Sequence, residues 1–280
     1  MFKHTTRVLL ASTLAALAAP ALAADIAEPP PVVEAPPVYE APAFGGWYIR
    51  GDVDYHWSDM DGADYIVYSV PNGATGTFDT TELDGAWSVG GGVGYQVTQW
   101  FRTDLTADYW AAADFSGSTF GVCDGVPCSS EDSSSYSAFV LMANAYVDLG
   151  TYAGFTPYVG AGIGGAKVSW DTLRNSIDGI VTEHPGNDEW RFAWSLMAGA
   201  SYCLTSNLLI DAGYRYTNIE GGRMFEYGAV GAEFGAGPGF DDGFNVHEVR
   251  GGLRYQFGGA TNCAAPVVAY QPEPVPAVYK

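Results

Sequence analysis

Histidine, serine and acidic residues are the side chains of this sequence that hydrolytic chemistry would use. Such chemistry needs a nucleophile, a base within hydrogen-bond reach of it, and a group that orients the base. His56, His184 and His247 lie in unrelated segments, and no nucleophile motif surrounds any of them. We therefore expect no enzyme. A protease or an acyltransferase is the enzymatic alternative, which cleavage of peptides or lipids by the purified protein would reveal.

The four cysteines could form disulfides or bind a metal. Cys123 and Cys128 enclose a short polar turn, so we expect a disulfide between them if the chain is exported to an oxidising compartment. Cys203 and Cys263 are the second candidate pair. Zinc at Cys123 and Cys128 is disfavoured, because four residues separate them and no His or second Cys pair lies nearby. We expect no metal and no cofactor.

Two other motifs are weak. Asp59, Asp61 and Asp64 lack the rest of a calcium-binding loop, which favours a solvated acidic loop. The glycine-rich residues 160–165 are not followed by the Lys-Ser/Thr pair of a phosphate-binding loop and lie within a strand pattern. Close packing inside a sheet is the better explanation for these glycines.

Charged residues of both signs recur at every second position in several segments. Arg50, Asp52 and Asp54, for example, alternate with Ile49 and Val53. A period of two gives a strand one charged face and one apolar or aromatic face. In a narrow barrel such charges would meet and neutralise one another as a salt-bridged interior. The candidate interior charges are Arg50, Asp52, Asp54, Arg102, Asp104, Asp108, Arg191, Asp211, Arg215, Glu248, Arg250 and Arg254.

Eight segments carry this alternation or a glycine-rich form of it. They cover about residues 47–57, 87–96, 101–109, 137–148, 157–169, 190–202, 208–216 and 248–257. An even number of antiparallel strands can close without leaving an exposed edge. The sequence therefore predicts an all-β, eight-stranded antiparallel barrel over residues 44–258.

The two ends of the chain carry targeting and linker signals. A basic start and a short apolar run that ends at Ala23 predict a signal peptide over residues 1–23. Proline-rich segments occupy residues 24–43 and return in 259–280. Because proline fixes the backbone and lacks a donor, we expect both segments to be extended tails outside the barrel.

Composition and pattern favour a membrane barrel. The chain has 12 basic and 32 acidic residues, a net charge of -20 that argues against nucleic acid as a partner. A soluble barrel also alternates, but it hides its apolar face inside. Here the charged face carries both signs at mid-strand, while Trp and Tyr cluster near strand ends, as interfacial aromatic girdles do.

The connections between the predicted strands alternate in length. Short turns fall at about residues 97–100, 149–156 and 204–207, whereas much longer polar, glycine-rich connections follow the first, third, fifth and seventh strands. Short turns face the periplasm in outer-membrane barrels, so we expect both chain ends there. The hairpin at 87–109 also matches the one at 194–216 at a constant offset, as if one unit had been reused.

Two strings carry a resemblance to a known family. Asn-Ala-Tyr at 144–146 and Thr-Pro-Tyr-x-Gly-x-Gly-x-Gly at 156–164 resemble the small outer-membrane β-barrel proteins of alphaproteobacteria, often labelled porin family or surface antigens. The closing strand, with Tyr255 and Phe257, resembles the signal read by the barrel-assembly machinery. Family members usually stop there, whereas this chain continues to Lys280.

The resemblance implies a protein of the outer membrane, surrounded by lipid and lipopolysaccharide. In that family, mature barrels that begin Ala-Asp can be joined through their N-terminal amine to peptidoglycan by L,D-transpeptidases, which makes Ala24 and Asp25 the candidate attachment residues. Eight strands leave an interior just wide enough for their own side chains. We therefore expect a structural protein of the envelope. A small porin-like channel and a surface adhesin acting through the outer loops are the alternatives.

Overall fold

The computed structural model of the chain describes residues 45–67, 74–123, 125–226, 236–260 and 263. Its strands are β1 (Gly46–Met60), β2 (Ala63–Val67), β3 (Ala74–Thr77), β4 (Thr80–Leu83), β5 (Ala86–Gln96), β6 (Phe101–Ser118), β7 (Phe120–Cys123), β8 (Val126–Asp148), β9 (Phe155–Trp170), β10 (Leu173–Ile177), β11 (Ile180–His184), β12 (Asp188–Cys203), β13 (Leu208–Phe225) and β14 (Ala236–Gln256). Within the described ranges, no helix is long and apolar enough to cross a membrane. The predicted signal peptide, the 24–43 linker with Ala24 and Asp25, and most of the predicted C-terminal tail lie outside these ranges.

Eight strands form a closed ring. The pairing runs β1, β5, β6, β8, β9, β12, β13, β14 and returns to β1, and every pairing is antiparallel. Closure satisfies the backbone hydrogen bonds of every ring strand, so the ring has no free edge. The predicted eight-stranded antiparallel barrel is confirmed. Each predicted segment lies within one ring strand, apart from residue 257, which follows β14, and several ring strands extend about ten residues further than predicted.

The three short turns lie at one end of the ring, which we name the turn end; the opposite end is the loop end. The turns after β5 and β12 have the same hydrogen bonds at equivalent positions. Val97 N and Leu204 N each donate to the carbonyl oxygen four residues later, 2.9 Å away in both turns. The repeated sequence unit therefore forms the same kind of hairpin twice.

At the loop end the structure differs from the sequence-based expectation of long polar loops. Much of that sequence is strand: β2, β3 and β4 lie between β1 and β5, β7 lies between β6 and β8, and β10 and β11 lie between β9 and β12. The ring strands themselves continue, since β8 has 23 residues and β14 has 21. A membrane crossing takes only about 9 to 11 residues, so the barrel projects well beyond the bilayer at this end.

Two belts of exposed aromatic side chains mark the lipid-facing surface. The turn-end belt contains Trp47, Tyr95, Trp100, Phe155, Tyr202 and Tyr255. The loop-end belt contains Tyr55, Trp57, Trp87, Tyr109, Phe139 and Trp190, with the partly exposed Trp194 and Tyr216. Trp47 and Trp57 are ten residues apart, which is about 33 Å along a strand and about 25 Å along the membrane normal at a tilt near 40°. This spacing matches the apolar thickness of an outer membrane.

The interior changes character along the strands. Between the belts most inward side chains are polar or charged, whereas near the loop-end belt and beyond it most are apolar. We name the part beyond the belt the loop-end extension. It comprises residues 58–67, 74–85, 110–123, 125–138, 168–189, 218–226 and 236–246. A bulge between Trp110 and Ala113 in β6 moves the inward positions from even to odd numbers at this boundary.

Two disulfides tie the ends of strands. Cys123–Cys128 joins the end of β7 to the start of β8 in the loop-end extension. Cys203–Cys263 joins the end of β12 to a residue that follows β14, at the turn end. Both predicted pairings are confirmed.

Candidate functional site

Arg215 on β13 lies inside the ring and holds carboxylates from two sides. Its guanidinium binds both oxygens of Glu248 on β14, and its Nη1 atom lies 2.7 Å from Oδ2 of Asp108 on β6. All three side chains are at most 1% exposed. A buried charge is costly unless it is paired and hydrogen-bonded, so the two carboxylates depend on Arg215 and Arg215 depends on them.

Arg250 on β14 connects the triad to the charges nearer the turn end. Its Nε atom donates to Asp54 at 3.1 Å. Its Nη2 atom lies 3.5 Å from a carboxylate oxygen of Asp52 and 3.5 Å from one of Asp108. One arginine thus bridges β14, β1 and β6 across the ring.

Arg50 on β1 forms the next layer. It binds Asp52 through two hydrogen bonds of 2.9 and 2.7 Å, and its Nη1 atom lies 3.3 Å from Asp104. Asp104 also accepts a 2.8 Å hydrogen bond from Asn144, and Arg50 donates to the Tyr146 hydroxyl at 3.1 Å. The carboxylate and guanidinium groups of this layer are therefore all engaged.

Arg102 occupies the layer at the turn end. Its guanidinium carbon lies 4.1 Å from the ring centre of Tyr146 and 4.6 Å from that of Tyr158, and its Nε atom donates to Asp148 at 3.1 Å. Stacking between aromatic faces stabilises a cation that has left water. Arg102 is therefore held inside the ring by one carboxylate and two aromatic faces.

Two more buried arginines lie inside the ring. Arg254 donates to Asp211 at 3.1 Å, and Arg191 binds both oxygens of Asp241 at 2.7 Å. Asp241 was not among the predicted interior charges. The alternation that is clear from Glu248 onward changes parity at Gly243, whose φ is 104°, so sequence periodicity could not be extended to position 241.

The structure places all twelve predicted interior charges on the inside, buried and within salt-bridge distance of an opposite charge. Asp148 and Asp241 are the acidic partners that the predicted set lacks. Asp148 has the same parity as the inward Asn144, a signal that the sequence did contain. Tyr146 lies between them at the same parity and shares that signal, whereas Tyr158 lies in a strand without alternating charges and had none.

Inward glycines give the charged side chains their space. A Cβ added at Gly90 would overlap the carboxylate of Asp108, and one at Gly252 would overlap that of Asp52. A Cβ at Gly162 would overlap the amide oxygen of Asn144, which agrees with close packing as the reason for the glycine-rich run in β9. Glycine at these positions makes room for large charged neighbours in a narrow ring.

Mainly aromatic side chains close the interior on the loop-end side of the charges. His56 stacks on Trp110 with ring centres 5.0 Å apart, and neither ring nitrogen of His56 has a hydrogen-bond partner among the described residues. Beyond them the ring of Phe115 packs against Trp170 at 5.6 Å and Phe225 at 6.3 Å. The barrel axis therefore passes from paired charges into close-packed aromatic rings.

A cavity of about 250 Å³ lies in the loop-end extension. Phe78, Leu173 and Phe225 of the apolar cluster form part of its wall, and the polar residues Asp132 and His184 form another part. The Cys123–Cys128 disulfide also lines it. A mixed lining of this kind is typical of small-molecule sites.

Asp132 is the charged group of the cavity. It is 3% exposed and accepts hydrogen bonds from Ser130 at 2.5 Å and from Asn175 at 2.6 Å. Burial raises the pKa of the Asp132 carboxyl and lowers the pKa of the His184 imidazole. His184 Nδ1 is buried and has no hydrogen-bond partner among the described residues. The sequence predicts polar loops in this region and contains no pattern that identifies the cavity.

The remaining candidates for chemistry do not come together. The histidines lie far apart in the fold: His56 inside the ring, His184 in the extension, and His247 on the outside with Nε2 3.6 Å from Asp59. Across the described residues, no three His, Cys, Asp or Glu side chains are grouped so that they could hold a metal ion. Tyr255 and Phe257 lie at the turn end of the last strand, half exposed, with ring centres 5.3 Å apart.

Comparison with known proteins agrees with this architecture. Residues 9–257 match the family described as the outer membrane protein beta-barrel domain. The chain belongs to this family. An uncharacterized protein of Brucella abortus is 40% identical over 246 residues, which covers 77% of this chain and 86% of the relative. Family membership agrees with the expected location in the outer membrane.

Two further matches are more distant. The outer membrane protein PagN of Salmonella typhimurium is 28% identical over 153 residues, or 53% of this chain and 63% of PagN. Among solved structures, the outer membrane protein OprG from Pseudomonas aeruginosa aligns with a TM-score of 0.48 and 16% identity. That alignment covers 76% of this chain and 96% of OprG.

Proposed function

We propose that this protein is a non-catalytic, structural outer-membrane barrel that contributes to envelope integrity and does not serve as a diffusion channel. The observation that carries the proposal is the double closure of the interior. Between the belts Arg and acidic side chains fill the ring, and aromatic side chains fill it beyond them. A hydrated ion would have to separate buried ion pairs and then displace packed rings, both of which are costly.

The turn end faces the periplasm in this proposal, and the loop-end extension faces the cell exterior. The support is the contrast between short turns and long strand-rich connections. The proposed surroundings are membrane lipid and, on the outer side, lipopolysaccharide. The proposed assembly route is recognition of the last strand, with Tyr255 and Phe257, by the barrel-assembly machinery.

The mature N-terminus is the proposed link to the cell wall, through the amine of Ala24 next to Asp25. The first ring strand begins at the turn end, which the proposal places on the periplasmic side. The proline-rich segment of about 20 residues could reach about 60 Å in a polyproline geometry. Such a tether would hold the outer membrane to peptidoglycan.

Conductance tests the closed interior. Purified protein in planar bilayers should show no sustained open state, and liposomes that contain it should not swell in small sugars. Heat-dependent migration on gels of the same preparation verifies that the barrel is folded, and a general porin serves as the positive control. Sugar permeation through verified, folded protein would contradict the proposal.

Mass spectrometry tests the tether. Envelopes digested with lysozyme should release the protein with a muropeptide on Ala24. A chain that lacks residues 26–43 but retains the Ala24-Asp25 start is the matched variant, and its attached fraction should fall because its reach is shorter. A free Ala24 amine on all of the full-length protein would remove the tether from the proposed function.

Adhesion through the loop end is a second candidate, favoured by apolar side chains exposed there. Phe120 is 66%, Val122 71% and Ile180 73% exposed, all in the loop-end extension. A contiguous patch of exposed apolar side chains is typical of an interaction surface. Changing all three to Ser should lower binding of bacteria to host cells or surfaces, whereas Ala at the exposed Ser129 and Ser133 should not. Unchanged binding would reject adhesion through these side chains.

A further inference from the structure

The cavity in the loop-end extension contains a carboxylate that differs from the other buried acids. Nine carboxylates are buried among the described residues. Eight of them pair with an arginine: Asp52, Asp54, Asp104, Asp108, Asp148, Asp211, Asp241 and Glu248. Asp132 is the ninth, and it has no salt bridge within the described part of the chain.

The neighbours of Asp132 do not replace the missing cation. Ser130 and Asn175 supply neutral hydrogen bonds. His184 is the titratable group that interacts electrostatically with Asp132, and burial disfavours the charged form of His184. A buried carboxylate without a counter-charge is unfavourable, and a ligand that brings a positive group into the cavity would relieve it.

The cavity offers a second polar contact and an apolar wall. Nδ1 of His184 is buried without a partner among the described residues, and in the tautomer that leaves Nδ1 unprotonated it can accept a hydrogen bond. Leu173 and Phe225 present apolar surface in the same cavity. A ligand with an ammonium group at one end and an apolar body at the other would satisfy all of these groups.

We propose that this cavity is a binding site for a small amphiphilic amine with an aromatic or aliphatic body. Since a cavity of about 150 Å³ holds benzene, one of about 250 Å³ has room for about ten heavy atoms. The ammonium group donates to Asp132 and to His184, and the body packs against Leu173 and Phe225. The strongly acidic chain also favours the approach of cations over anions.

Methyl NMR of the full-length mature protein in zwitterionic nanodiscs tests the proposal with 2-phenylethylamine as the probe. The methyl signals of Leu173 and Ile177, which line the cavity, should shift saturably. The neutral isostere 2-phenylethanol should bind about tenfold to a hundredfold more weakly, because it forms no charge-assisted hydrogen bond. Empty nanodiscs measure partitioning of the probe into lipid.

Two variants locate the charge that matters. Asp132→Asn should weaken the amine about tenfold or more and leave 2-phenylethanol unchanged. Glu183→Gln removes an exposed charge on the same strand as His184 and should change neither affinity. The proposal is overturned by the absence of saturable shifts at Leu173 and Ile177, by equal binding of amine and alcohol to the native protein, or by amine binding that Asp132→Asn does not weaken. The amine and alcohol comparison needs no variant, so it decides even if Asp132→Asn fails to fold.

Discussion

The barrel interior between the aromatic belts and the interior of the loop-end extension lie on the same strands but are built from opposite side chains. Between the belts, arginines and carboxylates fill the ring, as at Arg215 and Asp108. In the extension, aromatic residues such as Phe115 and Trp170 fill it. The outer surface is reversed as well, from exposed Leu and Ile between the belts to Ser and acidic residues beyond them.

The difference follows from what surrounds each region. Lipid covers the outside between the belts, so apolar side chains face outward and the polar ones have only one another as partners. Water surrounds the extension, so burial of apolar surface drives its packing as in a soluble protein. One continuous strand can satisfy both solvents if its polar face changes sides, and the bulge between Trp110 and Ala113 makes that change in β6.

Among these changes, removing the central cation of the charged interior should lower the free energy of unfolding the most. Arg215→Ala leaves Asp108 and Glu248 buried near each other without their main partner. We expect the free energy of unfolding to fall by about 3–5 kcal/mol, measured by urea titration in lipid vesicles. Arg174→Ala, which removes an exposed ion pair of the extension, should cost less than about 0.5 kcal/mol. Equal effects of the two changes would show that the interior pairs do not hold the ring.

Phe115→Ala should destabilise the loop-end extension through loss of packing. Loss of a ring packed against Phe78, Trp170 and Phe225 creates a cavity and should cost about 3 kcal/mol. Because the charged ring has its own stabilising contacts, we expect local opening of the extension, seen as faster proteolysis there with heat-dependent gel migration retained. Phe120→Ala, at an exposed position, is the control and should change neither. Loss of heat-dependent migration in Phe115→Ala would mean that the two regions unfold together.

Replacing an inward glycine with alanine should destabilise the protein more than replacing an outward glycine. A methyl group at Gly90 would overlap the Asp108 carboxylate, so Gly90→Ala should lower the free energy of unfolding by about 1–3 kcal/mol. Gly251→Ala is the matched control, because the nearest atom to its added Cβ is 4.0 Å away. Urea titration of both variants checks this. A result in which the two glycines behave alike would refute the explanation from space inside the ring.

The smallest expected effect is an increase in the stability of the loop-end extension. Asp132→Asn removes an unpaired buried charge, so the extension should become more stable by about 1 kcal/mol or less, whereas Asp108→Asn should destabilise the ring. Burial raises the pKa of Asp132 above its ordinary value, so the charged form is the one that destabilises the extension. The gain should therefore be greatest at neutral pH and disappear as the pH falls through that pKa. Hydrogen exchange of the extension at two pH values measures it, and a loss of protection at neutral pH would contradict the assignment.

The ring could be predicted from the sequence because the lipid on its outer face restricts the residue type at every second position. A lipid-facing surface forbids charge at Ile49 or Val53, so the alternation with Arg50 and Asp52 is strict. The twelve predicted interior charges and the Cys123–Cys128 pair followed from residue type and spacing, and Cys203 with Cys263 was the pair that remained.

The loop-end extension could not be predicted in the same way. Its strands carry Ser, Thr and Asp on their outward face, and the resulting composition is that of a polar loop. The bulge after Trp110 and the positive φ of Gly243 also interrupt the alternation where the extension begins. Its aromatic residues, such as Phe115 and Tyr136, were the available signal. They become meaningful only when strands distant in sequence bring them together.

The Cys203–Cys263 bond has a consequence for a chain that has been cut. It encloses β13 and β14 in one covalent loop, so both sides of the connection between them remain joined if that connection is cleaved. A protease acting between Glu226 and Ala236 would produce a nicked protein whose last strand cannot leave the ring. On a gel it would run as a single chain until reductant separates it into two fragments. The same bond would let a recognition peptide or a reporter be inserted at that connection, and even proteolysed there, without losing the closing strand.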